Sequence, residues 1–202
     1  MPSLRCCRPP GARCSKSLRL GKGERLLIRG GTTSVGLAAA AIAKNHGVIA
    51  ASTSRRPDRE QLLRSSGADQ VFVDTGAIAK QVKEVFPSGV DKVLELIGAT
   101  TLRDSLHCAK QRGIVCMTGM VGNKWSFDDF SPMDVIPTSV CLTIYDGGPE
   151  DFMLTPLDEL VEQVAAGTLQ VQVGRVFKLD DIVEAHHCME ENKAGGKIVV
   201  LT

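Results

Sequence analysis

Residues 24–46, ERLLIRGGTTSVGLAAAAIAKNH, constrain this chain more than any other stretch. Leu26-Leu27-Ile28 is a short apolar run of the kind that parallel sheets bury on both faces. Gly30 and Gly31 break that run and Thr32-Thr33-Ser34 carry the chain onward. Val35 to Lys44 is almost all alanine, leucine and isoleucine, which favours a helix packed close to a sheet. Strand, tight glycine turn and helix form the unit that holds a dinucleotide pyrophosphate, because the turn amides and the positive end of the helix dipole face the anion. The spacing Gly31-x4-Gly36 is looser than G-x-G-x-x-G, with Thr33 where the middle glycine belongs. On its own the turn also fits a plain βα connection.

The rest of the chain repeats the pattern. Strands are expected at Val48–Ala51, Val71–Val73, Val90–Leu96, Gly113–Met117 and Val140–Tyr145. Helices are expected from Pro57 to Arg64 with Leu62-Leu63 facing inward, and from Ile78 to Phe86 with Ile78, Val82, Val85 and Phe86 on one side. Others are expected over Thr101–Lys110, over Pro156–Ala166 with Leu157, Leu160, Val161 and Val164 inward, and over Asp180–Asn192 with Asp180 as cap. That last helix is expected to pack Ile182, Val183, Ala185, His186 and Met189 and to expose His187. Short strands at Leu169–Val173 and Arg175–Phe177, and a closing one after Gly195-Gly196, complete the reading. Alternating strand and helix means an α/β fold, a doubly wound parallel sheet of the Rossmann type, here with a small carboxy-terminal appendage. Ligands in such sheets lie beyond the carboxyl ends of the strands. That rule places Gly30 to Gly36, Thr53-Ser54-Arg55, Ile97-Gly98 and Thr118-Gly119 along one rim. Residues 120–137 read as a cover near that rim or as a packing loop.

The end of the second strand decides the cofactor. An acid there would bond the adenosine 2′-hydroxyl and repel a 2′-phosphate. Here the strand runs into Ser52-Thr53-Ser54-Arg55-Arg56-Pro57-Asp58-Arg59, with hydroxyls and three arginines and no acid at the tip. Arginine forks match phosphate geometry, so NADPH is the expected cofactor; a solvated basic loop is the plainer alternative. The missing acid also argues against a methyltransferase. A short-chain dehydrogenase would need Tyr-x-x-x-Lys, whereas Tyr145 is followed four residues on by Pro149.

Composition excludes other classes. The net charge of +1 gives no general case for nucleic acid or a membrane surface as partner, and no run reaches the ~18 apolar residues of a membrane span. The seven cysteines (6, 7, 14, 108, 116, 141 and 188) form no C-x-x-C pair, which points to a reducing, cytoplasmic setting and to no metal site. Residues 1–16 carry four basic residues, three cysteines and three prolines without an acid. They are read as a disordered basic tail or an unusual start, outside the fold.

Residues 17–202 resemble the nucleotide-binding part of a medium-chain dehydrogenase/reductase, of the quinone oxidoreductase or zinc-binding-dehydrogenase-like branch. GERLLIRGGTTSVGLAAAAIAK, SGADQVFVD, DKVLELIG, RGIVCMTGMVGN and AHHCMEENKAGGKIVVLT carry the likeness. The resemblance implies NADPH-dependent reduction of a quinone, enone or carbonyl compound. It implies a pyrophosphate held at Thr33, Ser34, Val35 and Gly36 behind Gly31, and a 2′-phosphate near Ser54, Arg55 and Arg59. It also implies a GroES-like catalytic domain that these residues do not supply. On that reading 17–175 is the NADP-binding domain and 176–202 a remnant of the catalytic one. No catalytic acid or base and no zinc site can be assigned. A non-catalytic NADPH-binding or dimerising module is the alternative, and a homodimer through the sixth strand is plausible by resemblance.

Overall fold

The computed structural model describes residues 18–145, 147, 153, 156–191 and 193–202, so the segment 1–16 lies outside the described residues. Strand and helix alternate through β1 (Arg25–Arg29), α1 (Ser34–Asn45), β2 (Ile49–Ser54), α2 (Glu60–Ser65), β3 (Gln70–Val73), α3 (Ala79–Val85), β4 (Val90–Glu95), α4 (Ala99–Cys108) and β5 (Ala109–Met117). A four-residue helix α5 (Pro132–Val135) precedes β6 (Cys141–Ile144). Beyond it come α6 (Leu157–Ala165), β7 (Val173–Lys178), α7 (Ile182–Glu190) and β8 (Lys197–Leu201). Six strands pair in parallel in the order β3-β2-β1-β4-β5-β6, and β7 pairs with β8 in a separate parallel ribbon. The chain has an α/β Rossmann fold.

The period-two alternation of the strands splits the core in two. Leu27, Ala51, Phe72, Val93 and Val115 face α3 and α4, where Ile78, Val82, Leu102 and Leu106 meet them. Leu26, Ile28, Ala50, Leu94 and Cys116 face the other way, toward Ala40 and Ala43 of α1. Each fully buried leucine or isoleucine contributes about 1.5–3 kcal/mol of transfer free energy. The alanine-rich face of α1 lets it lie close to β1 and β2.

Several expectations are corrected. Val85 is exposed while Ile78, Val82 and Phe86 are buried, because Val85 falls on the solvent side of a helix only two turns long. The helix expected to reach Lys110 stops at Cys108, since Ala109 already pairs with Val90. Leu169–Val173 is not a strand: Leu169 is drawn into a cluster with Ala41, Ile42 and Leu160, and pairing begins only at Val173, opposite Lys197. In α6 Leu160 is buried, whereas Val161 and Val164 are exposed. In α7 the buried residues are Ala185 and Cys188, and His186, expected to pack, is exposed. The reason is the support: α7 lies on a ribbon of two strands, too narrow to cover an apolar stripe as wide as the sequence offers. Asp180 does not cap it but sits inside a 3-10 turn over Leu179–Asp181.

Candidate functional site

Thr33 organises the turn between β1 and α1. Its Oγ1 accepts from the Gly36 N–H at 2.9 Å and donates to the Gly30 carbonyl at 2.8 Å, a side-chain cap for α1. Helix and turn then touch through missing side chains. A Cβ on Gly36 would lie 2.6 Å from the Gly30 oxygen, and one on Gly31 would lie 2.8 Å from Ser52 Cβ. With the Gly36 N–H taken by Thr33, the Ser34 amide is the one at the helix start with no acceptor among the described residues.

Two clefts open at this end of the sheet. The larger, about 990 Å³, runs from Thr32–Val35 past Ser54, Arg55, Arg56 and Arg59 to Gly195, Gly196 and Lys197 at the start of β8. The smaller, about 510 Å³, shares Thr32, Thr33, Ser54 and Arg55 with it and continues over Thr53, Asp74–Gly76, Ile97, Thr101, Val121 and Gly122. The three arginines are not equivalent. Arg56 is spent on Asp58, with bonds of 3.0 and 2.6 Å, whereas Arg55 and Arg59 have no ion pair among the described residues. The Arg59 guanidinium reaches toward Gly195, so the β8 turn forms the far wall of the larger cleft.

Of the expected rim residues, Thr33, Ser34, Val35, Thr53, Ser54, Arg55, Arg59 and Ile97 line one cleft or the other. Gly31 and Gly36 lie beneath and make the close contact just described. Gly98 opens α4 at φ +99, and Thr118 and Gly119 both donate their N–H to the Glu95 carbonyl; neither cleft is lined by these three. The loop 120–137 divides between its two readings. Val121 and Gly122 line the smaller cleft, while Phe127 and Phe130, 5.0 Å apart, pack back on the core and Trp125 is exposed.

Sequence reading missed a buried ionic network under the smaller cleft. Arg29, at the end of β1, is fully buried and binds Asp74 twice, Nε to Oδ2 at 2.6 Å and Nη2 to Oδ1 at 2.8 Å. Its Nη1 reaches Asp104 Oδ2 at 2.5 Å and Ser105 Oγ at 3.3 Å, and Nη2 also donates to the Gly76 carbonyl at 3.0 Å. Ser105 Oγ donates in turn to Glu95 Oε2. Glu95 Oε1 accepts from the Ile97 and Gly98 amides and from Thr101 Oγ1. Burial alone would push Asp74 up, yet Arg29 outweighs it and holds that carboxyl below the ordinary range. Burial wins at Glu95 and pushes it up, against the pull of Ser105 and the two amides.

These shifts carry opposite signs in a stability curve. Asp74 stays ionised in the folded chain to lower pH than in the unfolded one, so its contribution is present above the unfolded value of about 3.9 and is lost as pH falls through the folded value. Glu95 contributes in acid and loses that contribution as pH rises through its raised folded value. The acid limb therefore belongs to Asp74 together with Asp91, whose carboxyl burial would raise but Lys110 and the Arg25 amide hold low. Asp74→Asn is expected to flatten the fall in Tm between about pH 5 and pH 3, and an unchanged slope in thermal unfolding would refute this assignment.

Among the described residues no group of three or more His, Cys, Asp or Glu side chains could hold a metal ion. Burial pushes the Cys108 thiol up to about 12, so it packs as a small apolar group and not as a thiolate. Among the described residues no helix is long and apolar enough to cross a membrane.

A family model described as zinc-binding dehydrogenase matches residues 66–200. The quinone oxidoreductases of Pongo abelii and Homo sapiens are each 25% identical over 185 residues, covering 89% of this chain and 55% of theirs. The chain spans about half the length of the curated relatives it matches. A mycobacterial protein solved with NADPH aligns with a TM-score of 0.78 at 26% identity, covering 91% of this chain and 58% of that one. The Escherichia coli quinone oxidoreductase, solved with NADPH, shares the fold at a TM-score of 0.78 and 22% identity over the same shares.

Proposed function

The chain belongs to the zinc-binding dehydrogenase family, and on that footing we propose that it is an NADPH-dependent oxidoreductase reducing a quinone, an enone or a carbonyl compound. One observation carries the cofactor choice: Arg55 and Arg59, without ion pairs among the described residues, line with the capped start of α1 a single cleft of about 990 Å³. A phosphate monoester there meets two guanidinium forks, and the Ser34 amide and helix dipole take the pyrophosphate. The β2 tip, Thr53-Ser54, carries no carboxylate of its own to select a bare ribose. Bound in these clefts, the dinucleotide supplies a hydride to the substrate; this chain's residues bind it, orient it and exclude solvent beneath it.

Titration calorimetry of the 202-residue chain with NADPH and NADH tests the reading. Arg55→Ala and Arg59→Ala are each expected to weaken NADPH about tenfold and to leave NADH unchanged, the value of one charge-assisted contact. Arg56→Ala is expected to change little, because its guanidinium is already committed to Asp58. Equal affinity for both dinucleotides would refute the 2′-phosphate assignment.

A non-catalytic NADPH-binding or dimerising module is the second reading. It is favoured by the clefts lying on the phosphate side, with Thr118 and Gly119 lining neither. Steady consumption of NADPH with a quinone supports the oxidoreductase; binding without consumption supports the module. For a homodimer we propose the β6 edge, where Ile144 is 68% exposed at the end of the sheet, with sedimentation equilibrium as its measurement. We place the protein in the cytoplasm, on a sequence whose cysteines form no C-x-x-C pair.

A further inference from the structure

The buried guanidinium of Arg29 lines neither cleft, yet residues at the ends of β1, β2, β3 and β4 that line the smaller one are tied to it. A guanidinium has five N–H donors, and all five are used: one on Nε and two each on Nη1 and Nη2. Three chains of bonds lead outward. Through Asp74 Oδ2 and Thr53 Oγ1, at 3.2 Å, the first reaches the Gly30 N–H, which donates to Thr53 at 3.0 Å. The second holds the turn after β3 from both sides, since the Gly76 carbonyl accepts from Arg29 and the Gly76 N–H donates to Asp74 Oδ1 at 2.9 Å. The third runs through Ser105 to Glu95, and from Glu95 to the Ile97 and Gly98 amides. Gly30, Thr53, Asp74, Gly76 and Ile97 all line the smaller cleft.

We propose that Arg29 is a positioning residue for the bound dinucleotide: one guanidinium sets the relative placement of the β1, β3 and β4 tips, and so the shape of the smaller cleft. Backbone pairing between neighbouring strands runs one residue past β3 and β4, through the Asp74 and Leu96 amides, and the residues beyond need other partners. The Gly30, Gly76, Ile97 and Gly98 amides are held by side chains of this network and not by strand partners. A network that is satisfied throughout rigidifies more than its separate bonds would. Ser105 is the joint between its cationic and carboxylate halves, and lies outside both clefts.

This inference rests on the NADPH reading for its ligand, and two measurements separate their failures. Ser105→Ala removes the joint without touching a cleft. Amide hydrogen exchange is expected to speed up at least about fivefold at Ile97 and Gly98, and at Gly30 and Gly76, with the mid-strand Leu27 amide unchanged. NADPH affinity is expected to drop about tenfold. Thr53→Val and Thr53→Ser give a second route: valine is expected to release the Gly30 amide, and serine, which keeps the hydroxyl, to hold it. Faster exchange confined to α4, or a Gly30 amide indifferent to valine and serine alike, overturns the proposal. If the parent chain binds no dinucleotide, the cofactor reading fails, and the exchange pattern still decides whether Arg29 orders the tips.

Discussion

Arg29→Met is expected to cost the fold about 3–5 kcal/mol, read as the shift in urea midpoint at constant m-value. Methionine fills much of the same space, so the loss is not chiefly one of packing. It leaves Asp74 and Asp104, with side chains only 7% and 18% exposed, without their counter-charge. An uncompensated buried carboxylate costs more than a well-made pair contributes, and a domain has only about 5–15 kcal/mol in total. Asp104 keeps bonds from the Ile78 and Ala79 amides, and Asp74 keeps the Gly76 amide and Thr53. The heavier share therefore falls on Asp74, which gave up two bonds. Arg29→Met combined with Asp74→Asn should recover a large part of the loss. Arg29→Lys should fall between, because an ammonium restores the charge but cannot fork to both carboxylates. A midpoint within about 1 kcal/mol of the parent for Arg29→Met would mean that the network contributes no net stability.

What could be read from the sequence follows from the range of the interactions concerned. The parallel sheet was legible because each strand announces itself locally, as in Leu26–Ile28 or Val71–Val73, and alternation with helices makes the strands parallel. The rim was legible for the same reason, since ligand sites sit at strand ends wherever the strands are known. The network under it was not. Arg29 lies 45 residues from Asp74 and 75 from Asp104, and nothing local distinguishes a charged residue ending a strand in solvent from one buried beneath a neighbour's tip. Glu95 was hidden within an apolar run as one residue of LEL. Arg56 is the opposite case: Asp58 stands two residues away, and the pair could have been anticipated before three arginines were counted on the rim. The misread face of α7 has another cause. Its apolar period is present, but how much of a stripe becomes buried depends on the width of what it meets, and here that is a ribbon of two strands.

The second large effect is expected at Gly36. Gly36→Ala would place a Cβ 2.6 Å from the Gly30 oxygen and 2.7 Å from Gly31 Cα, backbone atoms that cannot swing aside as a side chain would. Gly36 does not have a left-handed backbone, and alanine in a helix gains about 1 kcal/mol over glycine. Any destabilisation is therefore a net result in which the clash has overcome propensity. Overpacking of this kind costs about 1–3 kcal/mol, so a modest loss of stability is expected. The loss of NADPH should be much larger. To relieve the contact α1 must move away from the β1 turn, taking with it the Thr33 cap and the Ser34 amide, and a displacement of about 1 Å at a positioned contact can cost on the order of a hundredfold. Gly23→Ala is the matched comparison. Gly23 lines neither cleft, has φ +81 and has no atom within 4 Å of its added Cβ, so alanine there meets backbone strain of about 1–2 kcal/mol and no clash. Stability should fall comparably in the two variants while NADPH affinity collapses only in Gly36→Ala. Were both variants to bind NADPH equally well, the close approach of α1 to the glycine turn would have no part in holding the cofactor.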